Sequence, residues 1–258
     1  MNRLVSREDQ KRIQLEMLIE IDRYCTENGL KYSLAFGTLL GAIRHKGFIP
    51  WDDDVDIMMP VEDMIRFKET FHSDRIKYCD VDTEPHFEYA FSRVVDQETF
   101  RRIGRFNLSY GVCVDLYPVI PISNDNEENA AFFKKGGSLL KKRLGMIRLN
   151  SFLRQYLPIR SIPGFDKCIC NYRDHLLGFH VCPPYRKYYV VAGHISLREK
   201  MIYDFDLFDR LVDVEFEGRC FKSTFHYDRY LSLRYGNYME LPPIEDRVPY
   251  HGGRYFWG

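Results

Sequence analysis

Between Gly47 and Pro60 the chain reads GFIPWDDDVDIMMP, with the carboxylates of Asp52, Asp53, Asp54 and Asp56 set against Val55, Ile57, Met58 and Met59. On a strand, side chains two residues apart share a face. Asp54 and Asp56 are therefore expected to point the same way, Cα atoms roughly 6–7 Å apart, while Val55 and Ile57 enter a core. Asp52 joins them if the extended backbone begins that early. Two carboxylates about 4 Å apart repel by about 4 kcal/mol at an effective dielectric of roughly 20. Either one acid keeps its proton or a cation lies between them. A divalent metal fits better than a shared proton, because oxygen-only ligands suit Mg²⁺ or Mn²⁺. Mg²⁺ in particular is held by one or two carboxylates and a substrate's phosphates. The plainer alternative is a solvated acidic turn, and the residues on either side argue against it.

Upstream lies FGTLLGAIRH, in which Gly37 and Thr38 open a helix. Free N–H groups at a helix start attract phosphate, Gly37 permits close approach of the backbone, and Thr38 offers a hydroxyl. Arg44, His45 and Lys46 place cationic donors just before the acids, either to hold a phosphate or sugar or simply to complement the helix dipole. Downstream, GVCVDLYPV carries Asp115 between Val114 and Leu116. Alternation sets Val112, Val114 and Leu116 on one face and Cys113, Asp115 and Tyr117 on the other, so Asp115 can meet Asp54 and Asp56 from a neighbouring strand. Three strand acids beside a phosphate-binding helix start make a site for metal-assisted phosphoryl or nucleotidyl transfer.

Elements to position these groups are legible in the periodicity. Ile13, Met17, Leu18, Ile21 and Tyr24 have helical spacing over 8–28, with Asn28-Gly29 as the stop. A strand is expected at 31–36, a helix capped by Thr38, a strand over 55–59, a helix over 61–71, and strands at 75–81, 87–96 and 111–119. The stretch 125–158 reads as helical and basic, 225–236 as a last helix ended by Gly236, and the Pro- and Gly-rich tail as irregular. This order predicts an α+β fold, a mixed sheet with flanking helices, divided into a catalytic core (1–122) and a helical and irregular part (123–258) that packs on it.

Composition narrows the classes. The 258 residues carry 37 Lys plus Arg against 37 Asp plus Glu, so no global field recruits nucleic acid. No apolar run is long enough to span a membrane and the N-terminus has no signal-peptide core. Seven cysteines without repeated spacing do not form a secreted disulfide framework, and a cytoplasmic location is expected. Cys168, Cys170 and Cys182 with His175 and His180 are candidate zinc ligands, but the spacing is not that of a finger, and buried or incidental thiols are the expectation. The cations between Lys134 and Arg160, with Leu and Phe among them, suit either a solvated amphipathic helix or contact with a membrane surface.

Gly37-Thr38, Asp54-Val55-Asp56 and Asp115 resemble the signature of the polymerase-beta type of nucleotidyltransferase, with Thr in place of the usual Ser. More closely, FGTLLGAIRHKGFIPWDDDVDIMMP resembles the LicD family, which includes bacterial phosphocholine transferases and relatives of fukutin and the fukutin-related protein. RVVDQETF with Arg93, GVCVDLYPV, VEFEGRCF and LRYGNYMELPPIEDRVPYH extend the resemblance over roughly 10–120 and 205–251. The resemblance implies a nucleotidyltransferase fold. It also implies transfer of a phospho-alcohol from a CDP-activated donor to a hydroxyl of a cell-surface or lipid-linked glycan, releasing CMP. Asp54 and Asp56 would then hold the metal, with Asp52 as a further ligand, and Asp115 would hold a second metal or help deprotonate the acceptor. Gly37 and Thr38 would bind phosphate, Arg44, His45 or Arg93 would meet charge on the substrate, and Arg247 and His251 belong to the C-terminal signature with Tyr235, Pro242 and Pro243. Two other readings remain: a sugar-nucleotide glycosyltransferase with an Asp-x-Asp metal site, and a catalytically silent nucleotide-binding protein.

Overall fold

The computed structural model describes residues 3–84, 87–103, 106–108, 110–157, 161–178, 187–190, 201–248 and 254–258. Helix α1 (Arg7–Glu27) starts where the Ser6 hydroxyl accepts from the Asp9 amide and stops at Gly29, whose φ is 62°. It buries Ile13, Met17, Leu18, Ile21 and Cys25, the stripe its periodicity predicts. Strand β1 is only Ser33–Leu34, and α2 (Phe36–His45) begins two residues before Thr38. Thr38 is thus not the cap. Ala35 occupies that position without a side-chain bond, and Phe36 enters the helix at φ 44°, a left-handed conformation that a bulky side chain adopts only where the surroundings impose it.

Strands β2 (Asp56–Pro60), β3 (Ile76–Cys79), β4 (Ser92–Asp96) and β7 (Cys113–Ile122) form the centre of a mixed sheet, with α3 (Val61–Thr70) following β2. Among the described residues the sheet has seven strands, in the order β1-β2-β7-β4-β3, and β8 (Lys187–Val190) and β9 (Ile202–Tyr203) attach through β7. β2 runs parallel to β7, while β4 pairs antiparallel with β7 on its other side. β7 is buried along nearly all its length, as its unbroken apolar run requires of a central strand. A separate three-stranded sheet joins β5 (Thr99–Ile103), β6 (Phe106–Leu108) and β12 (Tyr255–Trp257), so the far tail is in part a strand rather than wholly irregular.

Beyond Ile122 the chain forms α4 (Asn126–Tyr156), α5 (Phe165–Leu177), the hairpin β10 (Leu211–Phe216) with β11 (Arg219–Thr224), and α6 (Tyr227–Tyr235). The α4 helix agrees with its sequence pattern, whereas α5 and the hairpin were not expected. Two of the cations in the basic stretch are not on a solvated face. Arg143 and Arg154 are buried, and both reach Glu88, one through its carbonyl and one through its carboxylate. The architecture is α+β.

Candidate active site

The acids occupy the start of β2 and the coil before it. β2 begins at Asp56, so Asp54 lies on the lead-in and strand alternation is not what orients it. The coil is held from α1: Arg7 donates to the Asp52 carbonyl (3.2 Å), Gln10 to the Asp53 carbonyl (2.5 Å), and Gln14 to the carbonyls of Asp53 and Cys113 (3.3 Å each). Carboxylate oxygens of Asp52, Asp53 and Asp54 lie within 4.8 Å of one another. Gly37 is needed for this. A Cβ there would stand 2.5 Å from Asp52 Oδ2, so the missing side chain makes room for the acid. Thr38 is buried, and its Oγ1 accepts from the Asp56 amide at 2.8 Å, tying the first turn of α2 to the start of β2.

Strand register aligns the remaining groups. Asp56 is opposite Asp115 across the parallel β2–β7 pair, and Asp115 is opposite Arg93 across β7–β4, so acid, acid and cation stand side by side on three adjacent strands. Arg93 grips Asp115 through Nε (2.7 Å to Oδ1) and Nη2 (3.1 Å to Oδ2), and its guanidinium lies 3.6 Å from the centre of the Tyr89 ring. Burial pulls the Arg93 proton affinity down, but the Asp115 charge prevails and holds it well above the usual arginine range. The Tyr117 hydroxyl donates to Asp115 Oδ2 at 3.4 Å.

Among the described residues, no cation forms an ion pair with the Asp56 or Asp52 carboxylate. Burial first, then the charges of Asp54, Asp115 and Asp52, drive the Asp56 carboxyl well above the carboxylate range. Burial and Asp54, with a smaller push from Asp53, raise Asp52 to about 8. Asp56 Oδ1 is buried with no hydrogen-bond partner. An orphaned carboxylate oxygen beside three clustered carboxylates is a donor set short of one cation, and its all-oxygen chemistry fits Mg²⁺ or Mn²⁺.

Two cavities flank the acids. One of about 110 Å³ is lined by Asp53, Asp54, Arg93, Asp115 and Tyr117 together with Gln10, Gln14, Tyr89, Arg101 and Tyr255. The other, about 570 Å³, runs from Gly37, Arg44, Trp51 and Asp52 to Tyr235, Tyr238, Pro242 and Pro243. Arg44 donates to the carbonyls of Tyr238 (2.8 Å) and Glu240 (3.0 Å), which pins the C-terminal signature over α2. His45 lies edge-on to Trp51 at 6.2 Å and its pKa is lowered by burial and by Arg44. Arg247 donates to the Pro242 carbonyl (2.9 Å) with its guanidinium 5.5 Å from the Trp51 ring. His251 lies outside the described residues.

The fold thus brings Gly37, Thr38, Arg44, Asp52, Asp54, Asp56, Arg93 and Asp115 to one end of the sheet. Sequence reasoning did not single out Gln10, Gln14, Tyr89 or Tyr117 for the site. Tyr117 shares the Asp115 face in the alternation, and Gln14 is the polar interruption of an apolar helix stripe, so both left a signal. Tyr89 left none. The aromatic tail from Tyr250 to Trp257 suits, in sequence, either stacking on a base or sugar or packing on the core, and its Tyr255 lines the smaller cavity. Of the candidate zinc ligands, Cys168 is buried on α5, Cys170 is two residues round the helix from it, and His175 bonds the Phe132 carbonyl (2.9 Å); His180 and Cys182 are outside the described residues.

Comparison with known proteins agrees with this layout. Residues 29–144 match the family model described as LicD/FKTN/FKRP, nucleotidyltransferase domain. The lipopolysaccharide cholinephosphotransferase LicD of Haemophilus influenzae is 29% identical over 97% of this chain and 97% of its own length. An uncharacterized protein of Rickettsia typhi is 44% identical over 67% of this chain and 52% of its own. The human ribitol 5-phosphate transferase FKRP is 31% identical over 36% of this chain and 17% of its own. With a domain match that holds Asp52–Asp56, Arg93 and Asp115, and a relative aligned along nearly its whole length, the chain belongs to the LicD family.

Proposed function

We propose that this protein is a metal-dependent transferase that moves a phospho-alcohol, phosphocholine or a similar group, from a CDP-activated donor to a hydroxyl of a cell-surface glycan, releasing CMP. The observation that carries the reading is the line of Asp56, Asp115 and Arg93 across three strands beside the Asp52–Asp54 cluster, with a cavity on either side. The full-length similarity to a cholinephosphotransferase supports the class of group transferred, and the family's domain name supports a nucleotidyltransferase fold.

Asp52, Asp54 and Asp56 hold Mg²⁺ or Mn²⁺ in this reading. The ion would screen the donor diphosphate and stabilise charge on the departing phosphate. The nucleotide occupies the larger cavity, with Trp51 and Tyr235 against the base or ribose and Arg44 and Arg247 close by. Gly37 and Thr38 offer the amides at the start of α2, where negative charge is favoured. The acceptor oxygen attacks the phosphorus that bears the alcohol. A new P–O bond forms, the P–O bond to CMP breaks, and the hydroxyl proton passes toward Asp115. Arg93 and Tyr117 hold that carboxylate in place. Residues 1–122 supply the catalytic core, and 123–258 complete the cavities and meet the acceptor.

No helix among the described residues is long and apolar enough to cross a membrane. A lipid-linked acceptor would be met from the surface, through the end of α4, where Leu149, Phe152, Tyr156 and Leu157 are exposed and Lys141, Lys142 and Arg148 accompany them.

The test is CMP release from CDP-choline, CDP-ribitol, CDP-glycerol and CDP-ethanolamine, with Mg²⁺ or Mn²⁺ and a cell-surface glycan fraction. One donor should yield CMP in a metal-dependent way, and Asp54→Asn should lower the rate by about 10²–10³-fold with the fold intact. Release of a nucleoside diphosphate from a sugar nucleotide instead would mark a glycosyltransferase. Nucleotide binding without turnover would mark a silent protein.

A further inference from the structure

A third cavity, about 500 Å³, opens on the other side of the Tyr89–Phe91 wall. Its sides are α3, residues 80–82 and 89–92, and α5. Met64, Ala90 and Leu177 give it an apolar floor, and Tyr78, Tyr89 and Phe91 bring aromatic rings. A network of charges runs along the rim. Lys68 Nζ is 2.6 Å from Asp80 and 2.7 Å from Asp82, and Arg173 takes Asp82 with two parallel bonds of 2.7 and 2.9 Å. Through Arg173 and Lys68 the pair holds the Asp82 carboxyl down at about 2. The Tyr78 hydroxyl reaches Asp80 at 3.3 Å and Ser92 at 2.5 Å.

Three features say what such a cleft takes. Its size falls in the about 300–1,000 Å³ range of small-molecule sites, and its lining has the usual make-up of such sites, apolar and aromatic groups with a few fixed polar ones. The polar groups are already paired with one another, Lys68 and Arg173 against Asp80 and Asp82. Among the described residues lining the cleft, both cations are opposed by carboxylates, so a neutral ligand with many hydroxyls fits better than an anion. These side chains remain partly open to solvent: Lys68 is 29% exposed and Asp82 46%. They are held in place yet reachable, an arrangement that bonds vicinal hydroxyls without first having to order the donors. Finally, Tyr89 and Phe91 belong both to this cleft and to the small cavity containing Asp54, Arg93 and Asp115. The rings of Tyr89, Phe91 and Tyr117 form a continuous partition, with centroids 5.1 and 4.6 Å apart, that leads to the acids.

We propose that this cleft is the glycan site, holding a neutral oligosaccharide with its ring C–H faces toward the aromatic side chains. One hydroxyl then extends past Tyr89 toward Asp115. The proposal rests on the transferase reading above, because it supplies that reaction's acceptor, but the binding itself is separable from turnover.

The experiment is binding of the labelled full-length protein to an array of bacterial surface oligosaccharides, run beside CMP release from the donor panel. Ile65 and Glu69 are exposed side chains at the mouth, so Ile65→Trp and Glu69→Trp fill the opening without entering the core. Wild type should bind at least one neutral oligosaccharide. Each mouth variant should weaken that binding by tenfold or more at an unchanged melting temperature. Leu233→Trp, exposed on α6 away from the cleft, should bind as wild type does. An array on which nothing neutral is bound, or binding indifferent to both mouth variants, overturns the cleft and leaves the CMP result standing. Binding that behaves as expected with no CMP from any donor supports the cleft as a glycan site and sinks the transfer reaction.

Discussion

A cation at the proposed site would act first on Asp52 and Asp56, whose carboxyls are both raised. Asp52 has its carboxyl raised from 3.8 to about 8, by burial and then by Asp54, and Asp56 is shifted in the same direction. The sign of the linkage follows. Between those two values the folded chain keeps a proton that the unfolded chain has released, so stability is full below pH 3.8 and is lost as the pH rises to about 8. Ion-free protein should therefore melt at progressively lower temperature across this window. Saturating Mg²⁺ should flatten the slope, since a bound cation replaces the proton. Melting curves with and without Mg²⁺ check it, and a slope that Mg²⁺ leaves unchanged would remove these two acids from the ion site. Asp115 is held differently. A buried carboxylate gripped by a buried guanidinium is an expensive pair to break, about 3–5 kcal/mol when one partner alone is removed. Arg93 therefore has a structural task in addition to any contact with substrate.

Elements position these residues to different degrees, and the sequence reveals them to different degrees. Helices α1 and α6 are legible with their stops at Asn28-Gly29 and Gly236, while α3, α4 and β7 are legible as elements whose ends the sequence does not mark. Asp115 opposite Asp56 was foreseeable in outline, since alternation in GVCVDLYPV puts the acid on the face away from Val112, Val114 and Leu116. The hairpin β10–β11 was legible too, and missed: Glu217 and Gly218 both have positive φ, the signature of a tight hairpin turn, between runs that alternate. Helix α5 buries Phe165, Cys168, Ile169, Tyr172 and Leu176, a helical stripe that the reading of 161–184 as irregular passed over. What local pattern does not carry is the fastening of the tail to α2, because Arg44 meets the carbonyls of Tyr238 and Glu240 almost two hundred residues away. A hydrogen bond from a charged donor contributes about 1.5–3 kcal/mol. Arg44→Ala should therefore raise KM for the nucleotide donor by roughly tenfold, the equivalent of about 1.4 kcal/mol. It should also speed proteolysis within 236–248 and leave the melting temperature of the core nearly unchanged. An unaltered KM would separate this cavity from the donor.

For the whole molecule, the exposed rings at the end of α4 set its relation to surfaces. Phe152 and Tyr156 are 56% and 70% exposed, and their rings lie tilted to each other with centroids 5.1 Å apart. Co-sedimentation with phosphatidylglycerol vesicles should be detectable, and should fall several-fold both in Phe152→Ser and at high salt, because apolar insertion and charge attraction act together. Equal sedimentation with neutral vesicles would assign the patch to another partner. The small acid cavity has a consequence in time rather than in space. Tyr255 lines it, and β12 pairs with β5, yet these residues leave the ribosome long after Asp54, Arg93 and Asp115 have done so. The hydroxyl of Tyr230 likewise accepts from the Phe36 amide, closing a loop of 194 residues at the start of α2. A nascent chain that has already made every acid still lacks the walls of its own reaction chamber. Contacts this distant in sequence form late and slowly, so catalytic competence should arrive only with the closing steps of synthesis. In the proposed reaction, half-made copies would leave the nucleotide donor untouched.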